Sequence, residues 1–349
     1  MTDAAPLDPA TEQRIAAMPK VEIHVHLEGA QLPETIWEMS RKNGVALPAA
    51  TLDEWTKFYQ FRDFAHFIEV YIACSACMQT PEDFAWMTEE FHRYQAEQNI
   101  IYTEAFLSAS LFVDKLPRRD LLDAFRHGVA QGRRKHGVEV RFIPDIARNF
   151  PESQKAVLDF TLAGFEEGLF IGLGLGGLEQ GYPPELFAGT FEAAQAAGLR
   201  VVAHAGEGAG AESVRGAVEA LQAERIGHGI RCLEDHGLVN LLRERRIPVE
   251  VCPLSNFRTG VVSVGAEHPI FEMIRQGLLV TVNSDDPPMF GTSLTGEYQY
   301  LAENGLPWED IWRLNKGAIE ATFLNAGRKT ALRERFTKFE QWEPERPQE

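Results

Sequence analysis

The sequence predicts a (β/α)8 barrel of the TIM type, and three observations carry that prediction. Eight short, apolar, β-branched runs recur along the 349 residues. Segments of 3.6-residue periodicity separate most of them. Histidine and carboxylate side chains gather at the ends of those runs. Strands alternating with helices build right-handed βαβ units around a parallel sheet, and eight such units close into a barrel. The length suits one domain spanning 1–349, with polar ends at 1–10 and 340–349 expected to fray.

The strand-like runs are Val21–His26, Ile100–Leu107, Val138–Ile146, Phe170–Gly176, Arg200–His204, Arg225–His228, Ile247–Cys252 and Leu278–Ser284. Helical periodicity marks Leu121–Arg134, Gln154–Phe165, Pro184–Ala197, Ala211–Ala220, Leu238–Arg245 and Ile270–Gln276. The connection from Gly29 to Asn99 is too long for one helix, so several helices are expected to cover the barrel mouth. Trp308 to Phe336 reads as one or two closing helices.

Composition narrows the function classes. Hydrophobic residues make up 44%, ample for a large core, and the formal net charge is −17. Phosphate binding needs a basic surface, so nucleic acid and anionic membranes are not expected partners. No run of ~18 apolar residues predicts a membrane-spanning helix. Met1 to Pro9 has neither a cationic start nor an apolar stretch, unlike a signal peptide. Of the four cysteines, Cys74 and Cys77 lie one helical turn apart in an apolar stretch and read as buried free thiols. A reducing, cytoplasmic compartment fits that usage.

Barrel chemistry is carried at the C-terminal ends of the strands, and the informative side chains fall there. His24 and His26 stand two apart, so period two puts both rings on one strand face, the barrel interior. His204 ends the fifth run and Asp285 follows the eighth. Three imidazoles and one carboxylate are a complete ligand set for a divalent cation. None of the nine lysines falls in a predicted strand, so no lysine is placed to bridge a second metal, and one Zn²⁺ per chain is the best match. Glu207, set among small residues, is placed to give a proton. His228, flanked by glycines, is placed to position or deprotonate the attacking water and to stabilise oxyanion charge. Asp286 points away from Asp285 and could exchange a hydrogen bond with a ring nitrogen. The run Gly172-Leu-Gly-Leu-Gly-Gly177 matches a dinucleotide-binding pattern, but no helix start follows it. Bare backbone at a strand end suits a flat ring instead. Together these features point to metal-assisted hydrolysis.

The motifs resemble those of the adenosine/adenine deaminase family within the amidohydrolase superfamily. Pro19-Lys-Val-Glu-Ile-His-Val-His-Leu-Glu-Gly29, His204-Ala-Gly-Glu207, Ile226-Gly-His-Gly229, Glu250-Val-Cys-Pro-Leu-Ser-Asn256 and Asn283-Ser-Asp-Asp-Pro287 carry the resemblance, in order, from about Pro19 to about Asn325. It implies a single zinc held by His24, His26, His204 and Asp285. It also implies Glu207 as proton donor to purine N1, His228 as the water-activating residue, an Asp286 contact to N7 and a Gly177 N–H to N3. The implied partner is a small purine or purine nucleoside, and adenosine is the first expectation. Two departures bear on substrate. Glu28 stands where adenosine deaminases usually carry Asp near the ribose 5′-hydroxyl. Gly174-Leu-Gly-Gly-Leu-Glu179 stands where they read Asp-Leu-Ala-Gly-Asp-Glu. These leave adenine and 6-aminodeoxyfutalosine, a nucleoside enlarged at its 5′ end, as alternatives. Leu178 replaces a charge and would suit the latter.

Overall fold

The computed structural model describes residues 7–342. Its eight strands are β1 (Lys20–Glu22), β2 (Ile100–Leu107), β3 (Glu139–Ala147), β4 (Gly172–Gly176), β5 (Arg200–Ala205), β6 (Arg225–His228), β7 (Val249–Val251) and β8 (Val280–Val282). Each pairs in parallel with the next in sequence order. Helices lie between them, as a (β/α)8 barrel requires.

The last seam, between β8 and β1, explains why β1 stops short of the expected Val21–His26. Side chains do the pairing there. Ile23 N–H donates to Asn283 Oδ1 at 3.0 Å, and Ser284 N–H donates to Glu22 Oε1 at 3.0 Å. Backbone pairing resumes only at the mouth, where His26 N–H donates to Asp285 O at 2.9 Å and Asp285 N–H to His24 O at 3.2 Å. His24 and His26 therefore sit on an extended strand tail bridged to Phe106 and Asp285 rather than inside a regular ladder. β4, β7 and β8 are likewise shorter than their apolar runs. Lys20 corrects a second expectation, because it opens β1 and is fully buried. Its Nζ donates to the carbonyls of Ala16, Met18 and Gln98 at the N-terminal end of the strand. It stands at the pole opposite the mouth, so it bridges nothing at the site.

The long first connection holds four helices, Pro33–Asn43, Leu52–Tyr59, Phe64–Cys77 and Pro81–Glu97. Cys74 and Cys77 are free and buried in the third. That helix reaches the mouth: Tyr71 Oη lies 2.6 Å from Ser108 Oγ, and Phe67 stacks on Phe290 with centroids 4.7 Å apart. The tail forms two helices, Trp308–Ala321 and Ala326–Phe339. Between them Phe323 joins Phe106, Ile143 and Val202 in a small apolar cluster. The ends expected to fray fall mostly outside the described residues. Within them, Pro9 and Ala10 start a helix capped by Asp8, and Glu340 accepts from Trp312 Nε1 at 3.0 Å. Among the described residues no helix is long and apolar enough to cross a membrane.

Candidate active site

The mouth brings His24, His26, His204 and Asp285 together, their ligand atoms all within 4.8 Å of one another. His26 Nε2 is 3.1 Å from His204 Nε2, and Asp285 Oδ1 is 3.3 Å from His26 Nε2 and 3.6 Å from His24 Nε2. The strand geometry forces this convergence. His204 pairs in register with Gly227, and a Cβ at Gly227 would sit 2.6 Å from His24 Cε1. Only glycine leaves room there for the His24 ring. Asp285 and His228 both take positive φ, 65° and 57°. Such backbone costs about 1–3 kcal/mol per non-glycine residue and persists where surrounding contacts hold it.

Partners behind two of the three ligand rings, His24 and His204, fix where their lone pairs point. His24 Nδ1 lies 2.8 Å from Glu250 Oε2 and donates to it, leaving Nε2 without a hydrogen-bond partner. His204 Nδ1 must donate to the Leu175 carbonyl at 3.0 Å, so its Nε2 is bare. Bare nitrogens and a carboxylate oxygen crowded into one buried spot repel unless a cation stands between them. Charge responses agree. Against its burial, contacts to Asp285 and Glu250 push His24 up to about 9. Asp285, opposed by burial but drawn by the His24 and His26 rings at 3.6 and 3.3 Å, is held well below the usual carboxylate range. The residues fit a divalent metal, with Glu250 orienting a ligand from behind. Glu250 is held in turn by an ion pair to Arg225 Nε at 2.5 Å, and Arg225 also pairs with Glu104.

Beside this cluster stand the two expected proton handlers. His228 Nε2 is 3.6 Å from Glu207 Oε2 and 3.9 Å from Asp285 Oδ2. Burial, then the charges of Asp285 and Glu179, push Glu207 up to about 8, although its side chain keeps 23% exposure. Burial pushes His228 down to about 4. Both directions favour a protonated carboxyl beside an uncharged imidazole.

The residues expected to face substrate also reach the mouth. Asp286 and Glu28 are buried, and Asp286 Oδ1 and Glu28 Oε2 lack partners. Burial raises both carboxyls, Glu28 to about 7. Glu28 Oε1 is engaged, accepting from Ser108 N–H at 3.0 Å. A Cβ on Gly29 would lie 1.6 Å from Asp286 Oδ1, so glycine is required there. Gly177 follows β4 at φ 80°, packed against Asn149 and Arg148.

Several site residues received no role from the sequence, although Glu179, Glu250, Ser255 and Asn256 lie within its quoted motifs. Glu179 accepts from the N–H groups of Gly206, Glu207 and Gly208 at 2.8–2.9 Å and from Ser213 Oγ at 2.6 Å, pinning the turn that carries Glu207. Ser255 Oγ donates to Asp285 Oδ2 at 2.6 Å. Asn256 contacts His228, and Asp145 adds a further buried carboxyl at the mouth. For Glu250 and Arg225 a signal existed: full charges within or at the start of apolar strand runs have to be paired inside the barrel.

Comparison with known proteins agrees with this geometry. The aminodeoxyfutalosine deaminase of Streptomyces avermitilis is 38% identical over 328 residues, covering 91% of this chain and 90% of that protein. The adenine deaminase structure from Arthrobacter aurescens superposes with a TM-score of 0.87 at 32% identity, covering 93% of this chain and 100% of that one. A zinc-bound amidohydrolase from Burkholderia ambifaria gives a TM-score of 0.87 at 25% identity, covering 97% and 95%. The adenosine deaminase family profile matches residues 19–339, and the chain belongs to that family of hydrolytic deaminases.

Proposed function

We propose that this deaminase of adenine-like substrates acts on a 6-aminopurine nucleoside enlarged at its 5′ end, of the aminodeoxyfutalosine type. The observation that carries the reading is the composition of the mouth beyond Asp286. Glu28 Oε2 is a buried oxygen without a partner, and Asp145 stands close enough to feel the charge of Glu28. Such a wall takes up hydroxyl and N–H donors, which a ribosyl group supplies. Next to it Phe61 and Phe67 pack on Phe290, and half-exposed Leu178 follows Gly177. These give apolar surface to a bulky 5′ group. Adenosine would leave that surface bare, and free adenine brings a single N9–H donor. The relatives named above favour the two alternatives over adenosine. Adenine is the second reading, supported by Glu28 and by the Arthrobacter aurescens relative.

The cation assigned to His24, His26, His204 and Asp285 is Zn²⁺, which three imidazoles and a carboxylate suit; the Burkholderia ambifaria relative carries it. Bound there, Zn²⁺ supplies a Lewis acid that lowers the pKa of water toward ~7. Glu207 gives its proton to N1 as water adds at C6. The C6–N6 bond of the tetrahedral carbon then breaks. One water proton leaves on ammonia and the other restores Glu207, so atoms balance. Asp286 addresses N7, the Gly177 N–H addresses N3, and Glu28 faces the sugar. The test is kcat/KM, followed by UV absorbance, for 6-aminodeoxyfutalosine, adenosine and adenine. The enlarged nucleoside is expected to lead by at least about tenfold, the equivalent of ~1.4 kcal/mol of transition-state binding. A clear preference for adenine overturns the nucleoside reading.

A further inference from the structure

A buried line of three polar side chains runs from the start of the helix Pro269–Arg275 to His228. His268 precedes the helix Pro269–Arg275 and is fully buried, its ring edge-on to Phe257 at 5.4 Å. Asn256 belongs to the helix Pro253–Arg258 and is also fully buried. His228 ends β6.

Hydrogen-bond direction propagates along this line from a group that can only donate. The backbone N–H of Ile270 lies 3.0 Å from His268 Nδ1, so that nitrogen is bare and the ring proton is on Nε2. His268 Nε2 is 3.3 Å from Asn256, which must present its oxygen, Oδ1, to that N–H. The amide nitrogen then faces His228 Nδ1 at 3.1 Å and donates to it. A nitrogen that accepts is bare. The His228 proton is therefore on Nε2, the atom turned toward Glu207 Oε2 and Asp285 Oδ2. Neither ring can be an imidazolium while both Nδ1 atoms accept.

We propose that His268 is a positioning residue that acts through Asn256 to hold His228 as its Nε2–H tautomer, so that His228 donates a hydrogen bond to the oxygen adding to the substrate and is not the base. The donor role rests on the deaminase reading above, whereas the tautomer rests on the fold alone. Of the roles open to His228 from sequence, this keeps positioning of the water and stabilisation of oxyanion charge and removes deprotonation. The water proton is left to the neighbouring carboxylates.

The test uses metal-loaded enzyme labelled with ¹⁵N-histidine, with the His228 signals identified by their loss in His228→Asn. Two-bond proton–nitrogen spectra are expected to give a protonated Nε2 and a bare Nδ1 in the unaltered enzyme. An Nδ1–H tautomer or an imidazolium there overturns the proposal without any variant having to fold. Asn256→Asp has the same shape but only accepts. It is expected to move the proton to Nδ1 and to lower kcat by about 10²-fold or more, with KM changing by less than about threefold. His268→Leu is expected to act in the same direction. His268→Gln, whose amide N–H replaces Nε2–H, is expected to restore the tautomer and most of kcat. An Asn256→Asp enzyme that keeps both the tautomer and kcat overturns the proposal. A correct wild-type tautomer in a protein that releases ammonia from none of the 6-aminopurines would sink the deaminase reading and leave the relay standing.

Discussion

The surroundings of Glu207 suit it to the acid role proposed for it. Burial, the nearby Asp285 carboxylate and Glu179 all disfavour its charged form, and they lift it to about 8. A carboxyl raised in this way carries its proton below that pH and loses it above. If Glu207 gives the N1 proton, kcat/KM falls as pH rises through its pKa, and a cation on the four ligands draws that limb below 8. Glu207→Gln is expected to keep the metal, erase the limb and lower kcat by about 10²–10⁴-fold. Near-normal activity in that variant would remove ring protonation from the mechanism. Glu179→Gln tests the support behind this residue. It exchanges one acceptor oxygen for an N–H among three backbone donors. The turn should loosen, and kcat should drop by about tenfold or more while bound metal is unchanged, since misplacing a reacting group by even ~1 Å can cost ~10²-fold. At this scale the sequence was legible where residues touch the chemistry and silent one contact further back. His24 and His26 are visible through a period of two. Ser255, Asn256 and His268 serve residues 12 to 30 positions away, and no local pattern marks that service.

Elements were legible in number and order, because each apolar run needs a cover and each cover shows helical periodicity. Their limits were less so, and the β8–β1 seam gives the reason. An apolar run records burial, whereas a strand needs backbone partners. After Glu22 the partners are the side chains of Asn283 and Glu22 itself. That seam also sets the height of the site, since the next backbone pair joins His26 to Asp285. Asn283→Ala leaves the Ile23 N–H buried without an acceptor, which costs roughly 1–3 kcal/mol. It is also expected to raise the metal dissociation constant by about tenfold or more, because two of the four ligands lie across the loosened seam. Denaturant unfolding and metal titration check both parts, and an unaltered metal affinity would show that the seam serves stability alone. The four helices of the first connection were foreseen only as a group. Their packing on Phe290 and Ser108 depends on partners some 35 to 225 residues distant, which periodicity cannot reveal.

For the whole molecule, the cation joins catalysis to stability. The chain carries a net charge of −17, and its mouth gathers Glu28, Asp145, Glu207, Asp285 and Asp286 beside inward-facing imidazole nitrogens. Burial and mutual repulsion keep Asp145, Glu207 and Asp286 raised. A metal bound only by the folded state stabilises by RT ln(1 + [M]/Kd), about 2.7 kcal/mol at a hundredfold excess over Kd. Exhaustive chelation should therefore abolish turnover and lower Tm by a few degrees, with one equivalent of Zn²⁺ restoring both. Asp285→Ala removes the one carboxylate of the ligand set and the oxygen nearest to His26. That variant should purify without metal, show no turnover, and melt at the same temperature with or without chelator. His204→Ala should behave in the same way. Two metal equivalents per chain would contradict the reading of a single metal held by these four ligands. A wild-type Tm indifferent to chelation would mean that the crowded nitrogens are relieved by protons alone, and that the four side chains do not form a metal site.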